Sequence, residues 1–375
     1  MQTIGVLALL RRERFLAISA LTTLAFYLFG DALFGGLSSL YRLALIFFWL
    51  FSVVLGSALA VVRHAEGLAE KLGEPYGTLI LTLCITSIEV VSITAIMLHG
   101  ENNPTLARDT LFAVTMIVLN GMVGLSLLLG GWRYREQYYN LQGANTYLGV
   151  IIPLGVLCLV MPDFIATTSG PPRLSAAQKI FVATVSLGLY VAFLALQTSR
   201  HRAYFTIQNT VTDESEAPEE AAHSDSPLAL HVILLVIYMS LVVYLAEKLA
   251  PPVDYVVETM GKPAALAGLA MAVLVATPEI IGAVRAAGRN NLQRSMNIFL
   301  GSVLSTIGLT IPAIIVISEL TQHPVRLGLE HTDLMLFVLT LGLCMVTFSS
   351  GRTNILQGGV HLILFLAYLF LIFAG

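Results

Sequence analysis

Apolar runs long enough to cross a bilayer recur along the chain at roughly 15–30, 42–62, 78–98, 110–130, 146–162, 177–197, 228–247, 263–284, 295–318, 333–349 and 355–374. A helix satisfies its own backbone polar groups in lipid, so the pattern predicts an all-α polytopic membrane protein with eleven transmembrane helices. The fifth and tenth runs are short, and most connections are brief. One polar segment breaks the rhythm, from about His201 to Ser226. It carries Asp213, Glu214, Glu216, Glu219, Glu220 and Asp225, with Pro218 inside and Pro227 following. That composition predicts a flexible cytoplasmic linker, with weak calcium capture by its carboxylates as the alternative.

The linker separates helices 2–6 from helices 7–11 and leaves the first helix over. The predicted organisation is an N-terminal segment with the first helix (1–36), a five-helix repeat (37–198), the acidic linker (199–227) and a second five-helix repeat (228–375). An odd number of spans per half inserts the second half upside down. Such inverted repeats place transported ions near the bilayer midplane. A short motif supports the repeat: Gly73-Glu74-Pro75 lies ahead of one span and Gly261-Lys262-Pro263 ahead of another.

Composition changes the picture only in its exclusions. Hydrophobic residues make up 57% of 375 positions, charged residues 11%, and mean hydropathy is +0.83, too few charges to cover a soluble surface of this size. The net charge of −3 gives no reason to expect nucleic acid. Cys84, Cys158 and Cys344 lie inside apolar runs without metal-ligand spacing and read as packing residues. The basic stretch Arg11, Arg12, Arg14 precedes an apolar run with no small-residue cleavage site, which predicts a retained first span. With that end cytoplasmic, thirteen of the 20 Lys and Arg residues fall on the cytoplasmic side and seven on the other.

The chemistry concentrates at two lone glutamates in uncharged spans, Thr86-Ser87-Ile88-Glu89-Val90-Val91 and Ala276-Thr277-Pro278-Glu279-Ile280-Ile281. A carboxylate at bilayer depth is costly and persists where it meets water or a ligand. Helical spacing puts Thr82, Thr86, Glu89 and Ser92 on one face. Gly268, Ala272, Ala276, Glu279 and Gly282 share the matching face of the eighth helix. Pro278 cannot donate to the carbonyl of Leu274, which releases an oxygen; a plain structural kink is the other reading. In the following helices, Asn120, Gly121, Gly124 and Ser126 form one small-polar group, and Asn297, Gly301, Ser305, Gly308 and Pro312, with Ser302 beside them, form the other. Such stripes are commonly packing seams, but they also bring oxygens to an ion. The candidate ion ligands are therefore Glu89, Glu279, Thr86, Asn120, Leu274 through its carbonyl, Ser302 and Ser305.

Two carboxylates that hold either a cation or protons give the minimal logic of an antiporter, with the halves meeting at one site. A passive channel is the rival, but charged rings and a filter-like run are missing from the sequence. Protease motifs and haem-pairing histidines are missing too, so the expectation is not an enzyme and no cofactor. His64, Glu66, Glu70 and Glu74 mark a polar stretch between helices 2 and 3 that reads as a solvated interfacial helix, or as a gate or pH sensor. His361, in the last span, reads as a packing residue.

The run Arg63-His64-Ala65-Glu66-Gly67-Leu68-Ala69-Glu70-Lys71-Leu72-Gly73-Glu74-Pro75-Tyr76-Gly77 leading to Glu89 resembles the first signature region of the calcium:cation exchangers. Pro278-Glu279, then Asn297 and Gly301-Ser302-Val303-Leu304-Ser305-Thr306, resembles the second. The segments 104–111, 126–131 and 350–354 resemble the bacterial ChaA-type cation–proton antiporters. The resemblance implies an inner-membrane exchanger with one helix before two inverted five-helix repeats. It implies export of calcium, or of sodium or potassium, against protons, with Glu89 and Glu279 at the two ion-binding positions. Thr86 and Ala276 stand where relatives carry asparagine, which leaves room for monovalent ions. The implied partners are inorganic cations, protons and membrane lipid, with a homo-oligomer left open.

Overall fold

A computed structural model describes residues 13–73, 76–99, 104–164, 174–206 and 227–374. Its helices are α1 (Arg14–Phe34), α2 (Leu40–Leu72), α3 (Tyr76–His99), α4 (Leu106–Tyr134), α5 (Leu141–Phe164), α6 (Ala176–Arg200), α7 (Leu228–Val257), α8 (Ala264–Gly288), α9 (Leu292–Thr321), α10 (His331–Thr347) and α11 (Ile355–Ala374). Among the described residues, ten of these are long and apolar enough to cross a membrane, and α10 is shorter. The expected short fifth run lengthens to Leu141–Phe164, whereas the tenth stays short. The predicted polar stretch after residue 62 is no separate element: α2 continues through it to Leu72.

Gly73 and Gly261 both adopt positive φ, 65° and 62°, in the two Gly-x-Pro motifs. The left-handed turn is open to glycine without a Cβ penalty, and the proline two residues on cannot extend the preceding helix. Pro263 is the N-cap of α8, and α3 begins directly after Pro75. The same three-residue punctuation therefore introduces both glutamate-bearing helices.

The chain divides into two compact units. The first holds α1, α2, α3 and α7, with α2 packed along α3 and α7, and α1 against α2 and α7. The second holds the other seven helices around α4. In the most apolar stretch of α4, 89% of residues are buried, against 22% for α6 and α11, so α4 is a core helix enclosed on all sides. It packs against α8 and α11. A Cβ on Gly268 would lie 2.8 Å from the Asp109 carbonyl carbon, and one on Gly358 would lie 2.5 Å from the Leu128 nitrogen. Those two glycines let backbones of α8 and α11 touch α4.

At one end of the second unit, the connections after α4, α6 and α8 are bonded together. The Asn140 backbone N–H donates to Gln293 Oε1 at 2.7 Å, and its side-chain amide donates to the Ala203 carbonyl at 3.1 Å. Gln137 donates to the Ala287 carbonyl at 2.9 Å. A two-stranded antiparallel ribbon closes this end, β1 (Glu136–Tyr138) on β2 (Arg352–Asn354), with Gln137 opposite Thr353. It departs from the all-α expectation because three alternating residues carry no detectable period. At the opposite end, Arg326 N–H donates to the Pro104 carbonyl and Leu329 N–H to the Leu159 carbonyl, both at 2.8 Å. Arg108 donates to the Gly328 carbonyl and to Glu330. Helix α10 starts next to Glu330 and ends at Thr347, whose carbonyl accepts from Tyr139. Short as it is, it reaches from one end of the unit to the other.

Candidate functional site

Glu279 lies past the middle of α8 and is 7% exposed. Four residues before Pro278, the Leu274 carbonyl belongs to a fully buried residue, and a proline ring cannot donate to it. The helix nevertheless runs unbroken from Ala264 to Gly288. From α9, Ser302 Oγ donates to Glu279 Oε1 at 3.5 Å, a long hydrogen bond. One turn on, Ser305 Oγ donates to the Ser302 carbonyl at 2.9 Å. Glu279, Ser302 and Ser305 thus come together as expected, while Ser305 spends its proton on the backbone and keeps lone pairs to offer.

Immediately after Ser305, α9 widens into a π-turn over Thr306–Thr310, followed by Pro312. A second π-turn, Ile117–Met122, interrupts α4. Wide turns shift backbone carbonyls out of regular register and are frequent at functional positions. Sequence reasoning missed both, and Pro312 was the one available signal.

Glu89 belongs to the first unit, on α3, a helix that packs against α2 and α7. It is 2% exposed, with Thr86 7% and Ser92 0% exposed beside it. Among the described residues, Thr86 Oγ1 and Ser92 Oγ have no hydrogen-bond partner. Buried hydroxyls without a partner are costly, and these two lie on the same helix as a buried carboxylate. Among the described residues no group of three or more His, Cys, Asp or Glu side chains could hold a metal.

Asn120 stands apart from this set. Its amide nitrogen donates to Thr340 Oγ1 at 2.8 Å, and its amide oxygen faces His361 Nδ1 at 3.3 Å. His361 Nε2 in turn meets Thr347 Oγ1 at 3.0 Å. All four residues are fully buried. Gly121 and Gly124 likewise face Phe365 and Leu362 of α11. The polar group of α4 is thus directed to α10 and α11, and the structure does not bring Asn120 together with Glu279, Ser302 and Ser305.

The expected gating residues also separate. His64 is 4% exposed, whereas Glu66 and Glu70 are exposed on another face of α2. His64 is therefore a core residue rather than part of a solvated interfacial helix. Glu74 lies outside the described residues, as does the acidic stretch 207–226. What surrounds His64 was not anticipated. Glu13, 2% exposed, accepts from Arg63 and, at 3.0 Å, from the Tyr238 hydroxyl, and His231 Nδ1 lies 3.2 Å from His64 Nδ1. A single acid among Arg11, Arg12 and Arg14 was the missed signal.

Residues 42–199 and 230–374 match the family described as sodium/calcium exchanger protein. The chain is 40% identical over 321 residues to the sodium-potassium/proton antiporter ChaA of Escherichia coli (strain K12), covering 86% of this chain and 87% of that protein. It is 22% identical to the Ca(2+)/H(+) antiporter ChaA of Bacillus subtilis (strain 168), covering 80% and 84%. In fold it is similar to native YfkE, with a TM-score of 0.69, 18% identity and coverage of 96% and 100%. The H+/Ca2+ exchanger CAX gives a TM-score of 0.67 at 15% identity, covering 96% and 88%.

Proposed function

Because the chain belongs to the sodium/calcium exchanger protein family, we propose that it is a secondary antiporter of the bacterial inner membrane, exporting an inorganic cation against incoming protons. The observation that carries this reading is Glu279: a buried carboxylate, bonded by Ser302, behind a proline that releases the Leu274 carbonyl. Glu89, with Thr86 and Ser92 on its face, supplies the counterpart from the first repeat. Each carboxylate takes the cation or a proton in turn, since an unpaired charge at bilayer depth is costly. Cation release and proton uptake are then alternatives at the same oxygens.

In this reading α10 is an eleventh span, the N-terminus is cytoplasmic, and α2–α6 and α7–α11 are inverted repeats that work by alternating access. The matching glycine turns before α3 and α8 support the repeat. Sodium or potassium comes first as cargo, because the relative that shares 40% identity is a sodium-potassium/proton antiporter. Calcium is the second reading, favoured by the all-oxygen character of the candidate ligands. Glu89, Thr86, Glu279, Ser302, Ser305 and the Leu274 carbonyl make up the proposed ligands.

The test uses everted vesicles acidified inside, to which sodium, potassium or calcium is added at several pH values. Collapse of the pH gradient on cation addition is expected. Cation flux indifferent to the gradient would make the protein a channel, and no flux of any of the three would remove the antiport reading.

A further inference from the structure

A groove in the first unit lies apart from the carboxylate of α3 and has no part in the transport chemistry. It encloses about 550 Å³ between α1 and α7. Four of its lining residues are aromatic, Phe26, Tyr27 and Phe34 from α1 and Tyr244 from α7. Phe26, 2% exposed, packs edge-on against Trp49 of α2 with centroids 5.4 Å apart, and its ring lies 5.5 Å from that of Phe34. At Phe29 the α1 backbone leaves helical geometry, with φ −125° and ψ 16°. A Cβ on the next residue, Gly30, would meet nothing within 4 Å, so the groove is open there. Three charged side chains complete the lining, Asp31 on the α1 wall and Glu247 with Lys248 on the α7 wall.

The sequence sets these charges at one depth. Positions 15–30 of α1 and 228–246 of α7 carry no Asp, Glu, Lys or Arg, so Asp31 and Glu247 are the first charges beyond each apolar run. On both helices a tyrosine stands four residues before a charge, Tyr27 before Asp31 and Tyr244 before Lys248, one turn along the same face. A ring one turn inside a charge is the order of a membrane boundary. Nearer the membrane core, Leu21, Leu24 and Leu28 of α1 share a face at helical spacing and are 66%, 52% and 58% exposed, a strip on which an acyl chain can lie. Lys248 donates to Glu247 Oε1 at 3.1 Å and lies 5.1 Å from the centre of the Tyr244 ring. An ammonium has three donors, which leaves Lys248 donors for an oxyanion, while the Asp31 and Glu247 carboxylates accept from a cationic N–H. Two carboxylates against one ammonium disfavour a headgroup of net negative charge.

We propose that this groove binds a zwitterionic phospholipid whose headgroup carries a primary amine, phosphatidylethanolamine being the simplest case. The lipid phosphate accepts from Lys248, and its ammonium donates to Asp31 and Glu247. The glycerol region rests on the aromatic rings, and an acyl chain follows the exposed leucines of α1. The volume falls within the roughly 300–1,000 Å³ of small-molecule sites, which suits a headgroup with its chains left outside. Only 17% of the most apolar stretch of α1 is buried by protein, so the lipid supplies part of the contact that holds α1 to α7. This inference does not depend on the antiport reading.

The test reads lipid binding rather than transport. The chain has two tryptophans, so Trp132→Phe leaves Trp49, which backs Phe26, as the reporter. The full chain with this substitution is purified, stripped of lipid and returned to mixed micelles. The micelles carry brominated-chain phosphatidylethanolamine, phosphatidylcholine or phosphatidylglycerol, and quenching of Trp49 is titrated. Phosphatidylethanolamine is expected to half-quench at a several-fold lower lipid fraction than the other two. It is also expected to raise the melting temperature by several degrees where they do not, since a ligand of the folded state stabilises it. Asp31→Asn is expected to remove the advantage over phosphatidylcholine, whose amine has no N–H to donate. Lys248→Gln is expected to raise the half-quenching fraction of phosphatidylethanolamine several-fold. Melting in lipid-free detergent checks that both variants are folded, and the three-lipid comparison in the parent chain stands without them. Equal quenching by the three lipids, or a preference for either of the others, overturns the proposal, as does an unaltered preference in both folded variants. Phosphoethanolamine without chains is expected to leave the melting temperature unchanged; stabilisation equal to the lipid's would make the ligand a soluble phosphate ester instead. Light scattering on the same samples covers the remaining occupant: an oligomer that shields Trp49 from all three lipids would put a second copy of the chain in the groove and defeat the lipid site.

Discussion

Ser302 on α9 donates its hydroxyl to the carboxylate of Glu279 on α8 across 3.5 Å, and this bond ties the two helices through one acidic oxygen. The arrangement lets a serine follow the charge state of the glutamate. With the carboxylate ionised, the hydroxyl donates; with a cation bound, the same oxygen can turn its lone pair to the ion.

Glu279→Gln is expected to abolish exchange while the protein still inserts and melts near the wild-type temperature, because an amide is neutral and keeps the Ser302 contact. Ser302→Ala is expected to raise the cation KM several-fold, because it removes a hydroxyl oxygen beside the Glu279 carboxylate. Transport assays with melting curves on both variants check this. Wild-type rates for Glu279→Gln would remove the glutamate from the mechanism.

Glu89 makes the corresponding case on α3. Glu89→Gln is expected to stop exchange as completely as Glu279→Gln does. Thr86→Val, close in shape but without the hydroxyl, tests whether an oxygen with no protein partner is held for the ion. A higher cation KM with unchanged or improved thermal stability is expected. Lower stability with unchanged KM would make the hydroxyl structural.

Helix positions were legible because a bilayer imposes long apolar runs, and the same contrast makes Glu89 and Glu279 stand out in the sequence. Gly73 and Gly261 were legible as a repeated motif, and the positive φ they share gives the physical reason for the repetition. Side-chain direction around α4 was not legible. Asn120, Gly121 and Gly124 carry the same small-polar signature whether they face α8 or α11, and only the packing decides. The Glu13 cluster was hidden for another reason. Its members come from three places in the chain, and a lone acid among arginines reads as part of a basic tail until the fold brings His64 and His231 to it.

Asn120 offers a sharp separation between ligand and packing roles. Asn120→Ala removes the amide partner of Thr340 Oγ1 and of His361 Nδ1 in a fully buried layer. The expected cost is about 2 kcal/mol, seen as a clear drop in melting temperature. The cation KM of the folded fraction is expected to stay at the wild-type value. A large KM increase with an unchanged melting temperature would return Asn120 to the ion.

Gly268 is where α8 meets the backbone of α4 beside Asp109 and Thr110. Since the nearest atoms are backbone, they cannot swing aside as a flexible side chain would. Gly268→Ala is expected to destabilise by about 1–3 kcal/mol through overpacking and to lower exchange by displacing Glu279. Gly282→Ala, whose Cβ would meet only Ile298 at 3.5 Å, serves as the tolerated control. Equal melting temperatures for the two variants would show that α8 does not depend on this close approach.

Glu13 gives a stability prediction with a defined pH window. Burial pushes its carboxyl upward, but hydrogen bonding from His64, the Arg63 charge and the Tyr238 hydroxyl outweigh that and bring its pKa from 4.5 down to about 2. A carboxylate held lower in the folded state than in the unfolded one stabilises the fold fully above the unfolded value. That contribution is lost as pH falls from 4.5 towards 2, where the native state too must take the proton. Glu13→Gln is therefore expected to melt several degrees below wild type at pH 7, since it leaves Arg63 without its buried counterion. The gap should narrow steadily as the measurement moves down through this window. Melting curves of the purified protein in detergent at pH 7, 5, 4 and 3 check it, and a gap that stays constant or widens on acidification would mean that Glu13 does not carry its charge in the folded protein.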